Sequence, residues 1–140
     1  MSFRVDRPPV VLDASVAIAS ALQQRSEAPK ALGRWAEEER MTLVPTTFWS
    51  EAANGLLVGN RIDPVAVRGH LEDLSALGVE AADRGLPGVI EAVELAVRHG
   101  LTVYDALYLQ LALDVDGTLA TLDGELADAA QREGVQLETI

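Results

Sequence analysis

The 140-residue chain is 49% hydrophobic and carries a formal charge of −11, from 22 acidic and 11 basic residues. That size and hydrophobicity make one domain with an aliphatic core and exclude disorder, while the acidic balance excludes nucleic-acid binding by counterion release alone. With no cysteine and a single lysine, Lys30, the chain has no disulfide, thiolate metal site or cysteine nucleophile, and almost no candidate for lysine-based phosphate or Schiff-base chemistry.

At the N-terminus, Arg4 and Arg7 precede an apolar stretch ending "AIASA", which mimics a signal peptide. Asp13 interrupts that stretch and Pro8-Pro9 precede it, so the expectation is a cytoplasmic protein, in keeping with the missing cysteines. No apolar run approaches the ~20 residues of a membrane span. Residues 9–12 read as a buried strand, 15–24 as a helix, and 27–39 as a second helix with Trp35 on its inner face. "TLVP" at 42–45 is a short strand closed by proline, and 46–59 is a helix. Asp63 and Pro64 supply the N-cap and first position of the next helix. "GVEA" is a third strand, and 86–99 an amphipathic helix stopped by Gly100.

The stretch "YDALYLQLAL" at 104–113 is apolar or aromatic on every side apart from Asp105 and Gln110, which predicts a buried central helix. "GTLATL" at 117–122 is a strand, "DGELADAAQREG" a helix with a glycine stop, and "VQLETI" a final strand. Alternating strands and helices predict an α/β fold, residues 1–140 forming one domain. Its central parallel sheet has about five strands, with helices on both faces. There are no repeats, linkers or low-complexity tracts.

Four acids stand out by position. Asp13 and Asp123 each end an apolar strand and open a helix. Asp105 opens the most apolar helix, and Glu51 lies one turn into the helix after Pro45. Singly, each has an ordinary explanation: a helix N-cap for the aspartates, a solvated helix face for the glutamate. Together they suggest more, because residues that follow strands of a parallel sheet gather at one edge. Two carboxylates ~5 Å apart repel by roughly 3 kcal/mol at an effective dielectric of about 20. Such a cluster therefore holds protons at raised pKa or holds cations. Oxygen ligands without Cys, and without a neighbouring His, select Mg²⁺ or Mn²⁺ over zinc. One or two such ions would bind phosphate oxygens and activate water for an in-line displacement.

"VVLDASV", "SEAANGL", "LTVYDALYLQLA" and "LATLDGELADAA", in this order and covering nearly the whole chain, resemble the PIN domain, and in particular the short VapC-type toxins of bacterial toxin–antitoxin pairs. The resemblance implies a parallel sheet flanked by helices and a Mg²⁺- or Mn²⁺-dependent endoribonuclease. Asp13, Glu51, Asp105 and Asp123 fall on the family's acidic positions. Thr121 falls on a family Thr that supports the site, Asn54 on a polar position of the same helix as Glu51, and Ser15 is the small hydroxyl residue that often follows the first Asp; a supporting role is the expectation for all three. It further implies cleavage leaving a 5′-phosphate and a 3′-hydroxyl, a homodimer, and a VapB-type antitoxin in a hetero-oligomer. A PIN-like module that binds protein or RNA without cutting is the alternative.

A competing motif is "DVDGT" at Asp114–Thr118, which spells the nucleophile motif of haloacid-dehalogenase-type phosphatases. Only 22 residues follow Thr118, they contain no lysine, and the preceding residues read as helix rather than strand. A turn carrying Asp114 and Asp116 is the expectation. His70 and His99 are expected at surface or boundary positions and Trp35 and Trp49 in the core, with a partner groove as a second possibility for Trp35. The basic residues are scattered, Arg68 and Arg98 being candidates for an RNA contact.

Overall fold

A computed structural model describes residues 7–23 and 27–140; Arg4 and the last residue of the helix expected at 15–24 lie outside them. Four three-residue strands, β1 (Val10–Leu12), β2 (Thr42–Val44), β3 (Val79–Ala81) and β4 (Thr118–Ala120), form a parallel sheet in the order β3-β2-β1-β4. Seven helices connect and cover it. They are α1 (Ala14–Leu22), α2 (Glu27–Glu37), α3 (Thr47–Asn54), α4 (Pro64–Ala76), α5 (Leu86–His99), α6 (Val103–Asp114) and α7 (Gly124–Arg132).

β1 is buried along its whole length, the condition of a central parallel strand covered on both faces. Val11 pairs with Leu43 on one side and Leu119 on the other. Chain order runs outward from β1 to β3 on one side and returns to β4 on the other, so the switch point lies between β1 and β4. A crevice at the carboxyl ends of such strands is where open α/β sheets receive ligands. The core is mostly alanine and aliphatic side chains around Trp35, Phe48 and Tyr108, which are completely buried. Alanines such as Ala28, Ala92, Ala106 and Ala130 let the helix backbones lie close to the sheet and to one another.

Most expected elements form, and three differ in detail. The fifth strand shrinks to one parallel bridge, Leu119 to Leu137, because the C-terminal segment makes only a short pairing with β4. The helix expected over 46–59 is α-helical to Asn54 and then widens into a π-helical turn over Gly55–Gly59. A Cβ at Gly55 would meet the terminal methyl of Ile18 on α1, which would have to turn aside. The helix expected to be apolar and buried on every side exposes Tyr104. Elsewhere local signals hold: Asp63 caps α4 by accepting from the Val65 and Ala66 amides, and Gly100 ends α5 in the left-handed region at φ 67°.

The "DVDGT" stretch is accounted for structurally. Asp114 ends α6 and pairs with Arg84 at 2.9 Å, and Asp116 turns the chain at φ 49°. A Cβ on Gly117 would lie 2.7 Å from the Pro9 carbonyl oxygen, which accepts from the Thr118 amide as β4 begins. This glycine serves the close approach of β4 to the chain before β1, not phosphate chemistry.

Candidate functional site

The strand ladder continues one residue past β1, because the Asp13 amide donates to the Ala120 carbonyl at 2.9 Å. Asp13 is thereby placed at the carboxyl edge of the sheet beside the end of β4, and only 5% of its surface is exposed. Its side chain does not cap α1. Instead Oδ2 accepts from the Ser15 hydroxyl at 2.6 Å and from the Thr121 hydroxyl at 2.7 Å. Those hydroxyls are themselves held: Ser15 Oγ accepts from the Leu122 amide, and Thr121 Oγ1 from the Asp123 amide, both at 3.0 Å. The residues after β4 and the first turn of α1 form one network around a single buried carboxylate.

Asp123 does act as a cap, its Oδ1 accepting from the Glu125 amide at 2.9 Å and the Leu126 amide at 3.3 Å. Asp105 does not. Thr102 is the N-cap of α6 and accepts from the Asp105 amide at 3.1 Å, leaving Asp105 in the first turn. A carboxylate there is favoured by the helix dipole. Glu51 on α3 accepts from the Tyr108 hydroxyl through Oε2 at 3.2 Å. Its Oε1 is buried without a hydrogen-bond partner. The Thr47 hydroxyl, one turn earlier, lies close enough to favour the charged carboxylate but outside hydrogen-bond geometry.

The four acids share one electrostatic environment. Burial pushes the Asp13 carboxyl above the ordinary carboxylate range, the hydroxyls of Ser15 and Thr121 oppose it, and the charge of Asp123 adds to it. Burial also raises Glu51, with Asp13 and Asp105 adding repulsion, and raises Asp105, with Asp123, Asp13 and Glu125 adding theirs. Among the described residues no ion pair involves any of the four. No three His, Asp or Glu side chains there already stand as a metal cage. The donor set nevertheless suits a hard divalent cation: oxygens only, like-charged, desolvated, with one orphaned carboxylate oxygen.

Ser15 and Thr121 thus lie on Asp13, whereas Asn54 is exposed at the end of α3 and makes no hydrogen bond to the acids. Trp35 is fully buried rather than groove-lining, and Trp49 packs against the core. His70 is half-buried, and His99 contacts Glu133 at 2.7 Å. Arg68 and Arg98 are held in ion pairs with Glu72 and Glu133. Tyr108 was missed by sequence reasoning. Its signal was its position three residues after Asp105, on the same face of α6.

A family model described as PIN domain matches residues 10–132. Ribonuclease VapC3 of Pyrobaculum aerophilum is 36% identical over 129 residues, covering 85% of this chain and 92% of that protein. The crystal structure of PAE2754 from Pyrobaculum aerophilum matches with a TM-score of 0.67 at 25% identity, over 89% of this chain and 86% of that one. The structure of VapBC2 from Rickettsia felis bound to a promoter DNA fragment shares the fold, with a TM-score of 0.69 at 16% identity over 92% and 96% of the two chains.

Proposed function

This chain belongs to the PIN domain family, and on that premise we propose that it is a Mg²⁺- or Mn²⁺-dependent endoribonuclease, the toxin of a VapBC-type pair. The observation that carries this reading is the acid cluster at the sheet's switch point. Three of its carboxylates are raised in pKa by burial and mutual repulsion, and no cationic side chain pairs with any of the four among the described residues. Such a site lowers its energy by taking up cations, and cations are also what an acidic protein needs to meet a phosphodiester. Asp13, Asp105 and Asp123 would hold the ion directly, and Glu51 directly or through water. When bound, the ion supplies positive charge for phosphate oxygens and activates water for in-line displacement, leaving a 5′-phosphate and a 3′-hydroxyl.

The chain's own residues set the geometry. Ser15 and Thr121 fix Oδ2 of Asp13 and so orient the whole carboxylate. Asp123 spends Oδ1 on the α7 amides and keeps Oδ2 out of the cap.

The likeness to Ribonuclease VapC3 and the fold shared with VapBC2 support a VapB-type antitoxin as partner, and the charge of −11 suits a basic one. A homodimer, which would carry into the toxin–antitoxin hetero-oligomer, is supported by an exposed apolar stripe on α5: Leu86, Val89, Ile90, Val93 and Val97. No helix among the described residues is long and apolar enough to cross a membrane, and a cytoplasmic location fits the cysteine-free composition.

The test is cleavage of an RNA panel with Mg²⁺, Mn²⁺ or EDTA, together with growth on expression. Cleavage with either ion, and growth arrest lost in Asp105→Asn, are expected. Cleavage in EDTA, or full activity of an Asp13→Asn/Asp105→Asn double variant, overturns the mechanism. Absence of cleavage and of arrest in every condition identifies a non-cutting binding module instead.

A further inference from the structure

We propose that Tyr108 is a positioning residue for Glu51: its hydroxyl engages Oε2 and leaves Oε1 as the oxygen Glu51 presents to a divalent cation. The inference rests on the cation-dependent reading above and deepens it.

Tyr108 is completely buried on α6, and Glu51 is on α3, so their hydrogen bond ties together two helices that each bring an acid to the crevice. Asp105 lies one turn before Tyr108 on α6. A glutamate has three side-chain torsions, and its carboxylate wanders unless something holds it. Among the described residues the Tyr108 hydroxyl makes the one hydrogen bond to Glu51, since Thr47 lies outside bonding geometry.

The chemistry of the pair is one-directional. The Tyr108 hydroxyl donates to Oε2 of Glu51, while Oε1 is buried without a partner. A phenol hydroxyl that donates to a carboxylate occupies one oxygen and leaves the other for a different partner. The phenol ring packs in the core. The conservative change Tyr108→Phe therefore removes the hydroxyl and keeps the packing.

The experiment uses Mn²⁺ alone, on the full chain, by calorimetry. Tyr108→Phe is expected to weaken Mn²⁺ binding about 10-fold, the range found when groups that orient metal ligands are removed. In a Glu51→Ala background the same change is expected to have no effect on Mn²⁺ affinity, because a residue acting through Glu51 has nothing left to orient. A second readout needs no metal: the Glu51 carboxyl carbon resonance at fixed pH is expected to shift in Tyr108→Phe.

Wild-type binding of Mn²⁺ with equal binding by Tyr108→Phe overturns the positioning role and leaves the cation reading intact. Effects that add in the double variant, or a Glu51 resonance that does not respond, also overturn it. A wild-type chain that binds neither Mn²⁺ nor Mg²⁺ overturns the cation reading and the proposal together.

Discussion

Two groups of acids in this molecule have the same chemistry and opposite surroundings. At the carboxyl ends of β1 and β4, Asp13, Asp105, Asp123 and Glu51 meet no cationic side chain among the described residues, and burial favours the neutral forms of Asp13, Glu51 and Asp105. Away from that crevice, Glu138 takes hydrogen bonds from Trp35 at 3.1 Å and from Arg40 at 2.8 Å. Arg40 also donates to the Pro8 carbonyl at the amino end of β1. Glu133 is held below the ordinary carboxylate range by His99 and then by Arg98. Partnered acids stabilise the fold. The crevice acids have no cationic partner among the described residues, and burial and mutual repulsion work against the charges of Asp13, Glu51 and Asp105.

The widest separation is expected in activity. On the proposed metal-dependent reading, Asp13→Asn should cut RNA cleavage by at least about 100-fold, since losing a direct ligand would exceed the loss of a supporting group. It should leave the metal-free melting temperature unchanged or higher, because a neutral amide relieves desolvation and repulsion. Glu138→Ala should do the reverse. Cleavage stays near wild type in saturating metal, while stability falls by about 2 kcal/mol. That is below the figure for a fully buried pair because the Glu138 side chain remains 17% exposed. Denaturant unfolding and a cleavage assay on both variants decide this, and matching profiles would erase the distinction.

A smaller effect separates the two strand-end aspartates. Asp123 caps α7 and Asp13 does not cap α1. Asp123→Ala should therefore cost about 1 kcal/mol, and Asp123→Asn only a few tenths, with cleavage lost in both. Equal stability of the two variants would remove the capping role.

The smallest expected effect is in pH. Asp13, Glu51 and Asp105 hold protons more tightly folded than unfolded. As pH falls from neutrality toward their ordinary values of 3.8 and 4.5, the native state takes up protons first and metal-free stability rises. Glu133 has the opposite sign. Its contribution is present above 4.5 and is lost as pH falls through its depressed folded value. The metal-free melting temperature should thus peak on the acid side of neutrality. Mg²⁺ should raise it by about 3 °C more at pH 8 than at pH 5, since protons and cations compete for the same oxygens. A flat metal-free profile through the acid range would contradict the comparison.

The sequence reading and the structure agree where the signal is local. Apolar runs made the strands, Asp63–Pro64 and Gly100 bounded their helices, and Trp35 entered the core. They part where non-local packing decides. "VQLETI" has strand composition, but only Leu137 finds a bridge on β4. The segment Gly55–Gly59 continues a helical pattern, yet it widens into a π-helical turn. The gathering of the four acids in one crevice was legible from their places after strands and at helix starts. The cap assignments were not, because any aspartate before a helix reads as a cap, and only the observed hydrogen bonds separate Asp123 from Asp13 and hand α6 to Thr102.

By itself the sequence determined the parallel α/β architecture and the family, because hydrophobic periodicity and four ordered acidic motifs are properties of the chain read along its length. What each acid meets was decided by the tertiary structure alone. Leu137 bridges β4 and Glu138 beside it reaches Arg40 and Trp35, whereas Asp13 reaches the hydroxyls of Ser15 and Thr121 and Glu51 the phenol of Tyr108, 57 residues away. A carboxylate's charge state, and so its readiness for a cation, depends on burial and on neighbours brought together by folding, which no local pattern records.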